Sequence, residues 1–277
     1  MRVAVLGSGT TSLELPAHLA AIRSASTAID IVNPRLVVFP ATPYERLIVD
    51  LGYLDAAEQA QRAGFDAVVI NSFADYGIDA ARAAGIVMLG SGEAALRAAA
   101  AAGPRFSNVT IWPRSMAHLY DERLRALGLT ERCARVRHVG TEADLTTLGS
   151  DDSVMSQLHR GDAAMLRRVL AECRAAIAQD DIQSIVLGCT CMAPIAATVA
   201  AELDFPVMEG SGLAVRAAIA MPQPGATPGA QTMSAQRAGA TSAGALVDAW
   251  LGLRQRNQPI NQASDDRPDV DCDVCVP

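Results

Sequence analysis

Short apolar runs, each ended by a small or polar residue and followed by an Ala-rich stretch, recur along most of this chain. Runs of that length rich in Val and Ile predict buried strands, and the Ala-rich stretches between them carry helical spacing. Residues 1–6 form the first run, Gly7-Ser8-Gly9-Thr10-Thr11-Ser12 a turn, and 13–24 a helix. A second strand is predicted over 29–32, then a Pro-containing loop through Pro43-Tyr44-Glu45, then a helix over 54–63 that stops at Gly64. Further strands fall at 68–70, 109–112, 135–139 and 185–187, with helices over 116–127 and, broken near Gly161, over 155–179. Strands alternating with helices in this way predict an α/β fold built on parallel sheets.

One unit repeats. Val68-Val69-Ile70-Asn71-Ser72 leads through an Ala-rich segment to Ile86-Val87-Met88-Leu89 and Gly90-Ser91-Gly92. Ile185-Val186-Leu187-Gly188-Cys189 does the same, reaching Pro206-Val207-Met208-Glu209 and Gly210-Ser211-Gly212. Each Gly-Ser-Gly opens an apolar helical stretch, and the strand and helix at 109–127 mirror those at 3–24. Laid on each other, the copies set Ser72 opposite Cys189. They predict two pseudo-symmetric α/β/α lobes with the site in the cleft between them. The lobes are expected at 1–100 with 205–220, and at 101–204, joined near Gly103-Pro104. From 221 to 277 the composition turns to Pro, Gly, Ser and Ala. Such a low-complexity extension lacks the apolar surface to order itself, apart from one short helix at 245–253. It ends in Cys272-Asp273-Val274-Cys275, a C-x-x-C pair with no second pair to complete a zinc site.

A length of 277 residues suits two lobes with cores of their own. The net charge of −7 and the lack of any basic block exclude a nucleic-acid surface and favour a small-molecule site. No apolar run reaches the roughly 20 residues that cross a bilayer. The first residues read as a strand rather than a signal peptide, so the protein is expected in the cytoplasm, with its six cysteines reduced.

The candidate chemistry centres on Cys189, delivered by a buried strand to the start of a helix, where free N–H groups favour a thiolate. Cys191, Cys133 and Cys173 are read as packing. His18, His118, His138 and His159 are scattered singly, and no metal-ligand spacing is present. The turn at 7–12 lacks the third glycine of a dinucleotide fingerprint but can cradle an anion with Ser8, Thr10 and Thr11. Asp75 is placed to cap the following helix or to activate Ser72. Tyr44, on its loop, and Tyr120, one turn into its helix, could reach a cleft, and Ser115 corresponds to the hydroxyls at 10–12. A serine hydrolase would need the missing G-x-S-x-G elbow. A non-catalytic binder of small acids would also have two lobes and a cleft.

The segments Phe65-Asp66-Ala67-Val68-Val69-Ile70-Asn71-Ser72-Phe73-Ala74-Asp75-Tyr76-Gly77 and Gly188-Cys189-Thr190-Cys191-Met192 resemble the aspartate/glutamate/hydantoin racemase superfamily, in particular its hydantoin and allantoin racemase branch. The likeness covers roughly residues 1–220. It implies a cofactor-independent racemase or isomerase acting next to a carboxylate or hydantoin carbonyl, with Cys189 as principal acid/base. It also implies substrate contacts at Ser8, Thr10 and Thr11, and a homo-oligomer; Phe73 is a further candidate contact, and Thr190, with Ser8, Thr10, Ser72 and Ser115, a candidate hydroxyl for an enolate-like oxygen. Where two-cysteine racemases carry their first Cys, this chain has Ser72. The arylmalonate decarboxylases, which keep only the second cysteine, are similar as well and imply the alternative of an enolate protonated by Cys189.

Overall fold

A computed structural model describes residues 1–7, 13–221 and 242–256. The Ser8, Thr10 and Thr11 cradle and the Cys272/Cys275 pair lie outside the described residues. Strands β1 (Arg2–Leu6), β2 (Ala28–Val32), β3 (Ala67–Ile70) and β4 (Met88–Gly90) form one parallel sheet in the order β2-β1-β3-β4. Strands β5 (Phe106–Thr110), β6 (Cys133–His138), β7 (Ser184–Leu187) and β8 (Val207–Met208) form a second with the corresponding order, β6-β5-β7-β8. Every residue of β3 and β7 is buried, as expected of strands covered on both faces.

Helices α1 (Ala17–Ala20), α2 (Pro43–Arg62), α3 (Ile78–Ala83) and α4 (Ser91–Ala102) follow the strands of the first sheet. Helices α5 (Ala117–Ala126), α6 (Val154–His159), α7 (Ala163–Gln179), α8 (Ala196–Leu203) and α9 (Gly210–Ala220) follow those of the second. Gly161, at φ +68, breaks α6 from α7 where expected. The segment read as a loop at Pro43 is instead the first turn of α2. Thr42 and Glu45 close a capping box there, with Pro43 at the first helical position, so the backbone is preset for helix.

The last helix of each sheet's run crosses over. Ala214, Val215 and Ala218 of α9 pack with Val3, Val5, Ala67 and Val69 of the first sheet. Ala95, Leu96 and Ala99 of α4 pack with Phe106 and Val186 of the second. The two Gly-Ser-Gly turns start these helices side by side, and a Cβ at Gly210 would stand 2.3 Å from the carbonyl oxygen of Ser91. Close backbone approach explains glycine at 210, and in the other copy a Cβ at Gly92 would meet the Phe73 carbonyl oxygen. Past residue 241, a helix over Ala243–Arg256 lies along α2. Its first N–H groups, on Ala243 and Gly244, donate to Glu58 at 3.3 and 3.2 Å, Val247 is buried, and Arg35 bridges Asp55 and Asp248. This part of the extension is ordered because it finds an apolar face and a charge network on α2.

Candidate active site

The carboxyl ends of the two sheets face one cavity of about 630 Å³. Strand β3 ends in Asn71-Ser72 and strand β7 in Gly188-Cys189, and all four residues line it. The lobes touch at this point, where the Thr190 hydroxyl donates to the carbonyl oxygen of Asn71 at 3.1 Å. Ser72 and Cys189 therefore share the cavity from opposite sheets, in the arrangement that the repeat predicts. Phe73, Tyr120 and Thr190 line it too, with Val38, Tyr53, Tyr76, Trp112, Met116 and Leu119 supplying a mainly apolar wall.

Tyr120 holds the floor. Its hydroxyl contacts Thr110 Oγ1 and donates to the Gly188 carbonyl oxygen at 3.0 Å. Burial keeps this phenol protonated by raising its pKa far above the ordinary value. Glycine at 188 is a steric requirement, since a Cβ there would lie 2.3 Å from Asn108 Oδ1. From Gly188 the chain passes to an extended Cys189, at φ −147 and ψ 136, and then into a short 3-10 helix, Thr190–Ile195. That turn brings the Cα atoms of Cys189 and Cys191 to 5.2 Å, and the two sulfurs are joined in a disulfide. The expectation of reduced cysteines, with Cys191 as mere packing, is corrected here: an extended residue entering a tight turn points both side chains to one side. Cys133 and Cys173 are free, and burial pushes their thiols up to about 11 and about 12.

Not every expected contact reaches the cavity. Tyr44, in the first turn of α2, is 71% exposed and stands outside the lining. Ser115 is exposed and donates to Glu142 at 2.7 Å, because the 3-10 turn Arg114–Met116 directs it away. Asp75 does not serve Ser72, and it caps α4 rather than the helix that follows it. In a left-handed conformation, φ +50, it turns its carboxylate to the N–H groups of Gly92 and Glu93, at 2.9 and 2.7 Å, beside Arg123. Conversely, His18 and His159 both line the cavity. His18 Nε2 lies 2.9 Å from Ser211 Oγ, whose hydroxyl contacts Glu209 Oε1. Its partner is 193 positions away in sequence, so no local pattern marks it.

A model of the Asp/Glu/hydantoin racemase family matches residues 2–218. The chain belongs to that family. Among relatives of this family member, the hydantoin racemase of Paenarthrobacter aurescens is 30% identical over 70% of this chain and 78% of its own length. The solved allantoin racemase from Klebsiella pneumoniae superposes with a TM-score of 0.65 at 27% identity, covering 79% of this chain and 86% of the other. Arylmalonate decarboxylase shares the fold, with a TM-score of 0.54 at 18% identity over 85% of this chain and all of the other (100%). Family membership makes this protein a racemase-type enzyme. No helix of the described residues is long and apolar enough to cross a membrane.

Proposed function

We propose that the chain, with its Cys189–Cys191 bond reduced, racemises a 5-substituted hydantoin or allantoin, with Cys189 moving the proton at the ring carbon beside the carbonyl. The observation that carries this reading is Cys189 lining an apolar cavity across from Ser72 at the sheet junction closed by Thr190 and Asn71. Removing a proton from that carbon leaves an enolate. A thiol with an ordinary pKa near 8.5 can take the proton as thiolate and return it as thiol. In the bonded state the Cys191 N–H donates to Cys189 Sγ at 3.3 Å, and an N–H held in that place after reduction would favour the anionic form. The mainly apolar wall, with His18, Asn71, Ser72 and His159 set into it, suits an uncharged ring whose carbonyl and N–H groups find polar partners.

The test is proton NMR in heavy water with a dithiol present. The protein and Cys189→Ala are each incubated with single enantiomers of 5-substituted hydantoins, allantoin and substituted malonates. Loss of optical rotation together with deuterium at the ring carbon, reduced at least about 100-fold in Cys189→Ala, is expected. Carbon dioxide release from a malonate, with deuterium delivered to one face, would move the chain to decarboxylation. Unchanged turnover in Cys189→Ala would sink the assignment of this residue.

A further inference from the structure

Inverting a stereocentre by proton transfer needs a second acid/base on the face that Cys189 does not serve. Ser72 is poorly suited, since a hydroxyl neither gains nor gives up a proton readily near neutral pH and no base among the described residues hydrogen-bonds to it. The geometry points to His18 as that second group. This inference rests on the role of Cys189 proposed above.

His18 sits on α1, in the lobe of the first sheet, whereas Cys189 ends a strand of the second, and both line the same cavity. The ring is held in one state by a chain of hydrogen bonds. The Glu209 carboxylate caps α9, accepting from the N–H groups of Ser211 at 2.6 Å and Gly212 at 2.9 Å, and the Ser211 hydroxyl contacts the same carboxylate. A carboxylate only accepts, so the Ser211 proton points to Glu209 and Ser211 Oγ is left to accept from His18. Its partner at 2.9 Å, His18 Nε2, must then carry a hydrogen, which leaves the lone pair of the neutral ring on Nδ1. No described residue occupies Nδ1. Burial lowers the pKa of the ring, against the pull of Glu209, and so favours this neutral, basic form.

The proton count closes with one proton shared between the pair. For one enantiomer, neutral His18 takes the ring-carbon proton on Nδ1, and the bond electrons become the enolate. The Cys189 thiol then protonates the opposite face, leaving a thiolate and an imidazolium. The other enantiomer gives its proton to that thiolate and is reprotonated by the imidazolium, which restores the thiol and the neutral ring. Nothing is oxidised or reduced in either direction.

His18→Gln keeps a side-chain donor for Ser211 and removes the titrating ring. The experiment incubates reduced full-length wild type and His18→Gln with each enantiomer of a 5-substituted hydantoin in heavy water. Deuterium uptake is followed by NMR and inversion by chiral chromatography. Inversion is expected to fall at least about 100-fold in the variant. The enantiomer served by Cys189 should continue to exchange with retention, within about tenfold of wild type, since its base remains. Exchange lost equally from both enantiomers would mean that His18 only shapes the cavity, and inversion at the wild-type rate would exclude it altogether. Both results overturn the inference and leave the racemase reading standing. Absence of exchange by wild type itself would bring down that reading, and the inference with it.

Discussion

Cys189 and Cys191 differ in what can reach them. Cys189 is partly buried and Cys191 is 7% exposed, and the bond between them withholds the thiol that proton transfer uses. A small dithiol entering the cavity would attack the more accessible sulfur, release Cys191 as thiolate and then free Cys189. Wild type is expected to turn over hydantoin only after such treatment, and Cys191→Ser at the same rate with or without it. Initial rates measured both ways decide the matter, and a wild-type rate indifferent to the dithiol would exclude the bond as a block. The convergence of Ser72 and Cys189 was legible because both end repeated strands. His18 was not, because its place depends on how α1 meets α9, and neither was the bond of Cys189 to Cys191, because pairing across a single intervening residue depends on the local turn.

At the scale of elements, strand ends and helix breaks followed from apolar runs and glycines, as with Gly161 between α6 and α7. The start of α2 is also written in the sequence, in Thr42, Pro43 and Glu45, but a proline suits a loop as well as a first helical position, and only the closed capping box tells them apart. Asp75 shows what local reading cannot supply: it caps a helix that begins 16 positions later, at Ser91, after a strand has intervened. Burial pushes its carboxyl up to about 7, although Arg123 and two N–H groups pull the other way. A folded-state pKa above the ordinary carboxylate value means that the native chain holds this proton more tightly than the unfolded one. Its stabilising contribution is complete below about pH 4 and is lost as pH rises through about 7. In Asp75→Asn that decline, on the order of a few kcal/mol between those limits, should vanish from urea-unfolding midpoints taken across the range. Parallel pH profiles for the two proteins would refute it.

For the whole molecule, the matching strand orders of the two sheets express the internal repeat, and the Gly-Ser-Gly copies mark where α4 and α9 start against each other. The sequence shows the copies but not their exchange of partners, since nothing local tells a helix which of two similar sheets it will cover. The exchange bears on how the gene can be divided. A cut between Gly103 and Pro104 leaves α4 on the first product, although it covers the sheet of the second, and strips that first product of α9. Val3, Val5 and Val69 would then meet water on one side, as would Phe106 and Val186 on the other. Each product expressed alone is expected in inclusion bodies, and the two expressed together in the soluble fraction as a complex. A soluble, cooperatively unfolding single product would contradict this. The halves are thus two copies of one plan that can no longer live apart, and a destabilising change on α4 should unsettle the sheet that carries Cys189.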